Sequence, residues 1–361
     1  MKILIDIGHP AHVHLFKHLA RLMLTKGHNV FFTVREKEHE VYLLKTYGFE
    51  YKSFGKHYQC KIGKAWGLLK FNLQLLAVSL KFKPDILVSH GSIYAAQVSW
   101  LIRKPHISLE DTGNMEQVKL YKPFTDVILT STSFKRDLGH RQLSYNGYHE
   151  LAYLHPHFFR PDESVLVKLN VAKGEPYVVM RFVSWGASHD TGHPGISMNN
   201  KIRALRKFLK YARVFISSES KLPPELEPFR FEIGPEYMHD ALAFATLIYG
   251  ESATMASEGA MLGVPAIYLD NTGRYYTREL EEKYRLVFNF SESLEDQERS
   301  LRKAVEILKD TTVREKWQQR RREMLAEKID VTSWLAWFLE HYPRSIGIMK
   351  EKRRKQWQRL F

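Results

Sequence analysis

The sequence predicts an α/β protein made of two Rossmann-like domains that face each other across a cleft, followed by C-terminal helices. Three observations support this prediction. The 361 residues exceed the usual size of one domain. Apolar β-prone runs alternate with helical patterns, as in parallel sheets covered on both faces. That alternation fades after Tyr148 and restarts at Tyr177, and a cleft between two domains is a usual place for a small ligand.

The first strand–helix–strand unit lies within the first 35 residues. Residues 2–7 form a β-prone run, Gly8 to Ala11 read as a turn, and a helical stripe follows that ends at Gly27. A second β-prone run covers residues 29–34. The same pattern predicts further strands in this half at residues 49–54, 85–89, 106–109 and 126–130.

The second half repeats this organisation after an irregular stretch that carries Pro156 and Pro161. We therefore predict an N-terminal domain over 1–155, a C-terminal domain over 156–345, and a basic helix or tail over 346–361. Strands are predicted in the second domain at residues 177–183, 213–217, 230–233, 246–249, 265–269 and 286–289.

The composition bears on the cellular compartment and on the kind of partner that the protein binds. Lys and Arg number 54 against 40 Asp and Glu, a net charge of +14 that suggests an anionic partner such as a nucleotide phosphate, a nucleic acid or an acidic membrane face. The single cysteine, Cys60, can form neither an internal disulfide nor a thiolate metal site. No signal peptide is recognisable at the N-terminus. We expect a cytoplasmic protein, with peripheral contact to the inner face of the membrane as an option.

Two segments bear on membrane contact. Residues 66–82 read as an amphipathic helix, whose usual role is to pack on a core and whose less common role is to lie on a membrane. The last twelve residues carry six basic residues and Trp357, Leu360 and Phe361. They indicate either a solvated terminal helix or a patch that sits on anionic lipid.

The first turn carries a candidate catalytic histidine. His12 lies near the start of a helix and close to the strand-end carboxylate of Asp6, a setting that favours a neutral imidazole and suits a general base. The alternative is a histidine that only caps the turn. Because the turn lacks the G-x-G-x-x-G pattern, an NAD or FAD site is not expected.

Four histidines in this region, His9, His12, His14 and His18, raise the question of a metal site. They lack the compact H-E-x-x-H arrangement of zinc enzymes, and 17 histidines in the chain make chance clusters common. We expect neither a metal nor an organic cofactor.

Polar strand-end loops supply candidate substrate-binding residues. His90 and Ser92 follow one predicted strand, and Glu110 and Asp111 follow the next. Parallel strands bring such loops to the same edge as His12, where they could bind a polyhydroxylated molecule. Each loop could instead be an ordinary turn or helix cap.

The most informative segment runs from Gly250 to Ile267. A strand ends in a small-residue turn, and free backbone amides at the following helix start, flanked by Ser252 and Thr254, can bind a phosphate or diphosphate. Glu258 falls about one turn further in, where its carboxylate can accept hydrogen bonds from two ribose hydroxyls.

Residues 231–270 resemble the nucleotide-sugar-binding region of the GT-B glycosyltransferases and of the nonhydrolysing UDP-N-acetylglucosamine 2-epimerases. In pattern they are most similar to the undecaprenyl-diphospho-muramoylpentapeptide N-acetylglucosaminyltransferase. The resemblance implies that Ser252, Ala253 and Thr254 contact a diphosphate and that Glu258 holds the ribose.

Over nearly its whole length the chain resembles an uncharacterised bacterial and archaeal family of the GT-B fold group, a domain of unknown function. The segments that match are Asp6, residues 10–13, 33–36, 89–91, 110–111, 147–156, 179–185 and 251–265.

The chain departs from the muramoylpentapeptide enzyme where the second domain's first strand ends. The segment from Arg181 to Ala187 replaces a glycine-rich loop. Arg181 and Ser184 are candidate phosphate contacts there, or Arg181 is a structural ion-pair partner. No Asp-x-Asp triplet occurs, so a metal-dependent transferase lacks its signature, and helix amides and basic residues would meet the diphosphate charge.

These features favour a glycosyltransferase that moves a sugar from a nucleotide donor, a UDP-sugar first of all, to a surface-polysaccharide or lipid-linked acceptor. The alternatives are a nucleotide-sugar 2-epimerase and a non-catalytic protein that binds glycan or nucleotide. Nucleic acid is not an expected partner, because no helix-turn-helix, zinc-finger or RRM signature is present.

Overall fold

The structure is a computed structural model that describes residues 1–56, 58, 61–183 and 194–358. The side chains of residues 61–62, 64–65 and 352–358 are not described. The chain divides into two compact units. Unit 1 comprises Met1–Phe158 and Ile329–Phe361, and unit 2 comprises Phe159–Lys328.

Unit 1 contains a seven-stranded sheet in the order β3-β2-β1-β4-β5-β6-β7. All its neighbouring strands pair in parallel. The strands are β1 Lys2–Ile7, β2 Asn29–Glu36, β3 Tyr51–Lys56, β4 Ile86–His90, β5 His106–Glu110, β6 Val127–Ser131 and β7 Gln142–Tyr145. The helices are α1 Pro10–Thr25, α2 Glu40–Thr46, α3 Lys61–Phe82, α4 Ile93–Leu101, α5 Met115–Tyr121, α6 Leu151–Leu154, α14 Val331–Glu340 and α15 Arg344–Gln358, with a 3-10 turn at Lys122–Phe124.

Unit 2 contains a five-stranded sheet in the order β12-β11-β10-β8-β9, again parallel throughout. The strands are β8 Tyr177–Phe182, β9 Arg213–Ser218, β10 Leu247–Gly250, β11 Ala266–Leu269 and β12 Val287–Phe290. The helices are α7 Ser164–Lys168, α8 Met198–Phe208, α9 Met238–Phe244, α10 Ala253–Leu262, α11 Tyr275–Glu282, α12 Leu294–Lys309 and α13 Val313–Glu327, with 3-10 turns at Glu227–Phe229 and Pro235–Tyr237.

The strands are apolar along their length because helices cover both faces of each sheet. Ile3, Leu4, Ile5 and Ile7 of β1 are fully buried, so side chains on both sides of this strand leave water. Such burial contributes roughly 1.5–3 kcal/mol per large aliphatic side chain. The predicted class of two parallel-sheet α/β domains with C-terminal helices is confirmed.

Two strand predictions need correction. Residues 230–233, predicted as a strand, form only an isolated bridge between Ile216 and Arg230. Strand β7 was not predicted. It is a four-residue edge strand in which Gln142 and Ser144 interrupt the apolar pattern.

The assignment of residues 329–345 to the second domain is also corrected, because the chain returns to unit 1 at Ile329. The backbone amide of Ile329 donates to the carbonyl of Asn146 at 2.9 Å, and the Thr332 hydroxyl donates to the carbonyl of Ala152 at 2.6 Å. These partners lie about half the chain away in sequence. Periodicity within a segment could not indicate them.

The strand order reverses at one position in each sheet. In unit 1 the reversal lies between β1 and β4, and in unit 2 it lies between β8 and β10. Ligands of open α/β sheets bind outside the carboxyl ends of the strands at such a switch point. The loops that follow these four strands are therefore the first places to look for a site.

Within the described residues, every helix is too short or too polar to cross a bilayer.

Three buried side chains form a series of hydrogen bonds from the centre of the unit 1 sheet to the loop before β6. His106 is fully buried, and its ring nitrogens lie 2.9 Å from the hydroxyls of Ser89 and Thr125. Burial lowers the pKa of His106 to about 3, although the negative charge of Asp6 acts in the opposite direction. The imidazole is therefore neutral in the folded protein at physiological pH.

We expect His106 to make folding stability depend on pH. The unfolded chain binds a proton below the ordinary pKa of 6.5 and the folded chain does so only near 3, so this part of the stability is present above pH 6.5 and is lost as pH falls from there towards 3. Denaturant unfolding gives the free energy of unfolding at each pH. Between pH 3 and 6.5 its increase with pH should be smaller in His106→Gln than in wild type, by up to about 1.4 kcal/mol per pH unit. The exposed His140→Gln is the control. An unchanged slope in His106→Gln would contradict the assignment.

Candidate functional site

The unit 1 candidate site surrounds the switch point at the carboxyl ends of β1 and β4. After β1, the chain turns at Gly8 and helix α1 begins at Pro10, whose missing N–H is no loss at a helix start. The cap of this helix is His9, whose Nδ1 accepts a hydrogen bond from the Ala11 amide at 3.2 Å. The capping role considered for His12 thus belongs to His9.

His12 lies one turn into α1, beside His90 of β4. The two ring centroids are 4.6 Å apart, and His9 lies 5.8 Å from His12 on another side. Burial, followed by the neighbouring positive charge of His90, holds the pKa of His12 well below its usual value. Its Nδ1 is buried and has no hydrogen-bond partner among the described residues. A neutral imidazole with an unused nitrogen can accept a proton or bind a ligand.

Asp6 has a different environment from the one predicted. Its carboxylate accepts two hydrogen bonds from the guanidinium of Arg35, both at 2.8 Å, and further bonds from the hydroxyls of Thr33 and Ser92. Asp6 and Arg35 are almost fully buried. Among the described hydrogen bonds of Asp6 none involves His12, and the four that are present tie β1, β2 and the start of α4 together at this sheet edge.

Ser92 and Glu110 are also used within the fold. Ser92 caps α4 by accepting from the Ala95 amide at 3.1 Å. Glu110 accepts from the hydroxyl of Thr112 and the amide of Gly113 through one oxygen and from the hydroxyl of Tyr121 through the other. Both residues lie at the predicted edge of the sheet, where their hydrogen bonds stabilise the loops of that edge.

His90 and Asp111 meet as predicted from parallel strands, and a third residue joins them. The Nε2 atom of His90 lies 2.9 Å from Asp111 Oδ1, and the Nδ1 atom of His149 lies 3.1 Å from Asp111 Oδ2. Burial alone would raise the pKa of Asp111, but the two imidazoles hold it well below its usual value. Burial would lower the pKa of His90, and the Asp111 carboxylate outweighs this and raises it.

His149 was not predicted as a site residue. It follows the edge strand β7, which the sequence analysis did not predict, so the strand predictions did not place it at this sheet edge. The signal that could have found it is the Gly147-Tyr148-His149-Glu150 segment, which matched the family pattern. The side chain of His149 is 6% exposed.

The other histidines of α1 pack against aromatic rings. His14 contacts Tyr47 and Tyr153, and His18 stacks on Phe158 with centroids 5.3 Å apart. Within the described residues, none of the four α1-region histidines belongs to a group of three converging metal-ligand atoms.

The unit 2 candidate site lies at the start of α10, beside its own switch point. Ser252 caps the helix by accepting from the Met255 amide at 3.2 Å, and Ala253 and Thr254 form the half-buried first turn. A Cβ at Gly250 would lie 2.0 Å from the carbonyl oxygen of Arg181. Glycine is therefore required where β10 passes β8 and enters this turn.

Glu258 lies inside α10 and is largely buried. Its Oε1 atom lies 2.9 Å from Nε2 of His239, which is also buried. The carboxylate predicted to hold a ribose is thus engaged by an imidazole of α9, a contact that the sequence did not indicate.

Arg181 has the partners of a structural ion pair. Its guanidinium donates to the hydroxyl of Ser217 at 2.8 Å and to the carboxylate of Glu219 at 2.7 Å. Ser184, the other candidate from this loop, lies outside the described residues.

Two further residues at this edge were missed by the sequence analysis. Glu251 is buried and accepts from the amides of Val183 and Ile196, with Lys201 3.3 Å away. Arg274 follows β11 in a turn organised by Asp270. The edge therefore carries two cations, Lys201 over the ring of Phe182 in β8 and Arg274 after β11.

The two Rossmann-like units, each with its own switch point, have the α/β architecture of the GT-B fold. The chain belongs to the family described as "Protein of unknown function (DUF354)", whose model matches residues 1–282. No curated protein matches the chain.

Solved structures share the fold at low identity. The S. aureus MnaA–UDP complex is 13% identical with a TM-score of 0.67 and covers 96% of this chain and 98% of its own. The UDP-GlcNAc 2-epimerase from Neisseria meningitidis bound to UDP-GlcNAc is 12% identical, with a TM-score of 0.65 and coverage of 88% and 94%. The spinosyn rhamnosyltransferase SpnG, complexed with spinosyn aglycone, is 12% identical, with a TM-score of 0.60 and coverage of 94% and 99%.

We expect the Asp6–Arg35 pair to be a stability determinant. Arg35→Met removes one partner and leaves a buried carboxylate unpaired, which should cost about 3–5 kcal/mol in the free energy of unfolding. The double variant Asp6→Leu with Arg35→Met should recover much of that loss, because no buried charge remains. Chemical denaturation measures both, and a loss below about 1 kcal/mol in the single variant would contradict the structural role.

Proposed function

We propose that the protein is a GT-B-type glycosyltransferase that moves a sugar from a nucleotide-diphosphate donor, a UDP-sugar, to a hydroxyl of a surface-polysaccharide or lipid-linked acceptor. The observation that carries the proposal is the neutral imidazole of His12 at the unit 1 switch point, whose Nδ1 has no hydrogen-bond partner among the described residues. Its position suits removal of a proton from an acceptor hydroxyl. Asp111 and His90 line the same edge as acceptor-binding groups.

Unit 2 would hold the donor. The free amides at the start of α10, with Ser252, Ala253 and Thr254, would bind the diphosphate and stabilise charge on the leaving group. Lys201 and Arg274 add positive charge at the same sheet edge. Glu258 would accept the ribose hydroxyls, with His239 fixing its carboxylate from within the fold.

A second candidate is nucleotide-sugar 2-epimerisation. It is favoured by the fold similarity to proteins described as UDP-GlcNAc 2-epimerases. The two reactions differ in one observable. An epimerase converts the sugar of UDP-N-acetylglucosamine without an acceptor, which an NMR time course records, whereas a transferase requires one.

The donor assignment predicts that UDP binds and that Glu258 contributes to its affinity. In calorimetry with the purified chain, Glu258→Gln should weaken UDP binding at least about tenfold, since a charged hydrogen bond to a ribose hydroxyl contributes roughly 1.5–3 kcal/mol. The exposed Glu315→Gln is the matched control. Equal affinity in Glu258→Gln and wild type would remove the ribose role, and no UDP binding at all would overturn the donor assignment.

The same assay separates binding from catalysis at His12. His12→Gln should keep wild-type UDP affinity, while acceptor-dependent UDP release falls about 10²–10⁴-fold because the general base is lost. Wild-type release by His12→Gln would contradict the role of this residue.

We also propose peripheral contact with an anionic membrane through helix α3. Phe71 and Leu75 bury one face of α3 in unit 1, yet Trp66, Leu69, Leu73 and Leu80 on another face are 54–61% exposed. We refer to these four residues as the α3 stripe. Residues 51–84 carry seven lysines and no acidic residue. Exposed apolar side chains within a basic segment are complementary to anionic lipid, where lipid-linked acceptors are found.

Vesicle co-sedimentation checks this contact. Leu69→Ser with Leu73→Ser should lower the bound fraction on phosphatidylcholine–phosphatidylglycerol vesicles, with affinity reduced about tenfold or more through lost apolar burial. Leu294→Ser is the control, because this leucine of unit 2 is even more exposed, at 71%. Binding that is equal on pure phosphatidylcholine, or unchanged in the double variant, would exclude the α3 stripe as the contact.

A further inference from the structure

Three potential metal ligands converge at the carboxyl ends of β4, β5 and β7. One donor atom from each of His90, Asp111 and His149 lies within 4.8 Å of the other two. The shortest separations are 2.9 and 3.1 Å, both to Asp111. Tetrahedral zinc with bonds of about 2.0–2.2 Å holds neighbouring ligand atoms roughly 3.3–3.5 Å apart. The two contacts to Asp111, one at each carboxylate oxygen, would need to lengthen by a few tenths of an ångström, and the two imidazole nitrogens already lie within 4.8 Å of each other.

The hydrogen bonding of this cluster is incomplete. His149 is buried, and its Nε2 has no hydrogen-bond partner among the described residues. Its Nδ1 lies 3.1 Å from Asp111 Oδ2 and interacts with that carboxylate. His12 Nδ1, in the ring next to His90, is buried and unpartnered as well. Buried polar atoms are nearly always satisfied, so unused imidazole nitrogens around a carboxylate point to a missing ligand.

The surroundings hold His149 in place. Its ring stacks on Tyr145, with centroids 6.1 Å apart, and Tyr145 in turn packs on Trp334 of α14 at 4.8 Å. A Cβ at Gly147 would lie 2.7 Å from Val331, so glycine allows the turn before His149 to approach α14. This packing positions the imidazole in advance, which lowers the entropy cost of binding a ligand.

We propose that His90, Asp111 and His149 form a binding site for a divalent transition-metal ion, zinc first of all. Two imidazoles and one carboxylate favour zinc or its first-row neighbours over magnesium or calcium, which prefer oxygen ligands. Three protein ligands leave a coordination position for water or a substrate oxygen, as in catalytic zinc sites. This inference does not depend on the proposed nucleotide-sugar chemistry, and it departs from the sequence-based expectation of no metal.

A second cluster in unit 1, formed by His155, His157 and Asp330, is the weaker candidate. The His157 side chain is 68% exposed. Asp330 already caps α14 through the Ser333 amide and hydroxyl. The exposed His157 side chain would lose more conformational entropy on binding a metal ion. Asp330 would have to give up the hydrogen bonds by which it caps α14. It serves as an internal control.

The test uses the full-length chain without a histidine tag, stripped by a chelator and titrated with cobalt(II) and zinc(II). We expect about one ion per chain, visible d–d absorption from cobalt, and a higher melting temperature with zinc. His149→Ala and Asp111→Asn should each weaken binding at least about tenfold and abolish the zinc-dependent shift. His140→Ala and His157→Ala should bind as wild type does.

Three results would overturn the proposal: no bound ion, undiminished binding in both ligand variants, or loss of binding in His157→Ala alone. Circular dichroism of the metal-free variants monitors folding. If His149→Ala does not fold, the nearly isosteric Asp111→Asn decides the question. UDP binding measured on the same preparations reports on unit 2, so failure of the metal site and failure of the nucleotide assignment give different results.

Discussion

The parallel arrangement of both sheets is the constraint on which the rest of this structure depends. Every strand in a parallel sheet ends at the same edge, so residues far apart in sequence meet there. In unit 1 this edge unites His12, His90, Asp111 and His149 across a span of 137 positions. Where the strand order reverses, the helices on either side diverge, and the polar strand ends line a crevice.

The polar residues of that edge fall into two groups according to whether their hydrogen-bonding atoms have partners within the fold. Asp6, Ser92 and Glu110 have their acceptors occupied by partners within the fold. Their buried charges and hydroxyl groups are thus satisfied by hydrogen bonds within the fold. His12 and His149 hold buried nitrogens that the described residues leave unused. Unused capacity distinguishes residues available for chemistry from residues that support the edge.

The two units differ in how much of the candidate site was predictable. In unit 1 the convergence of His12, His90 and Asp111 follows from strand order alone, but His149 required a short edge strand that its polar residues concealed. In unit 2 the cap at Ser252 follows from a local pattern. The partner of Glu258, which is His239 of α9, comes from packing between two helices and leaves no local signature.

The sequence by itself determined the class of fold, the alternation of strands and helices, and the loops in which polar residues cluster, because these depend on local periodicity and turn chemistry. Tertiary structure alone decided which polar groups are satisfied, that Arg35 takes the carboxylate of Asp6, and that the chain returns to unit 1 at Ile329. Those outcomes depend on contacts between separate segments of the chain. A hydrophobic periodicity of 2 or 3.6 residues describes a single strand or helix and does not indicate which other segment packs against it.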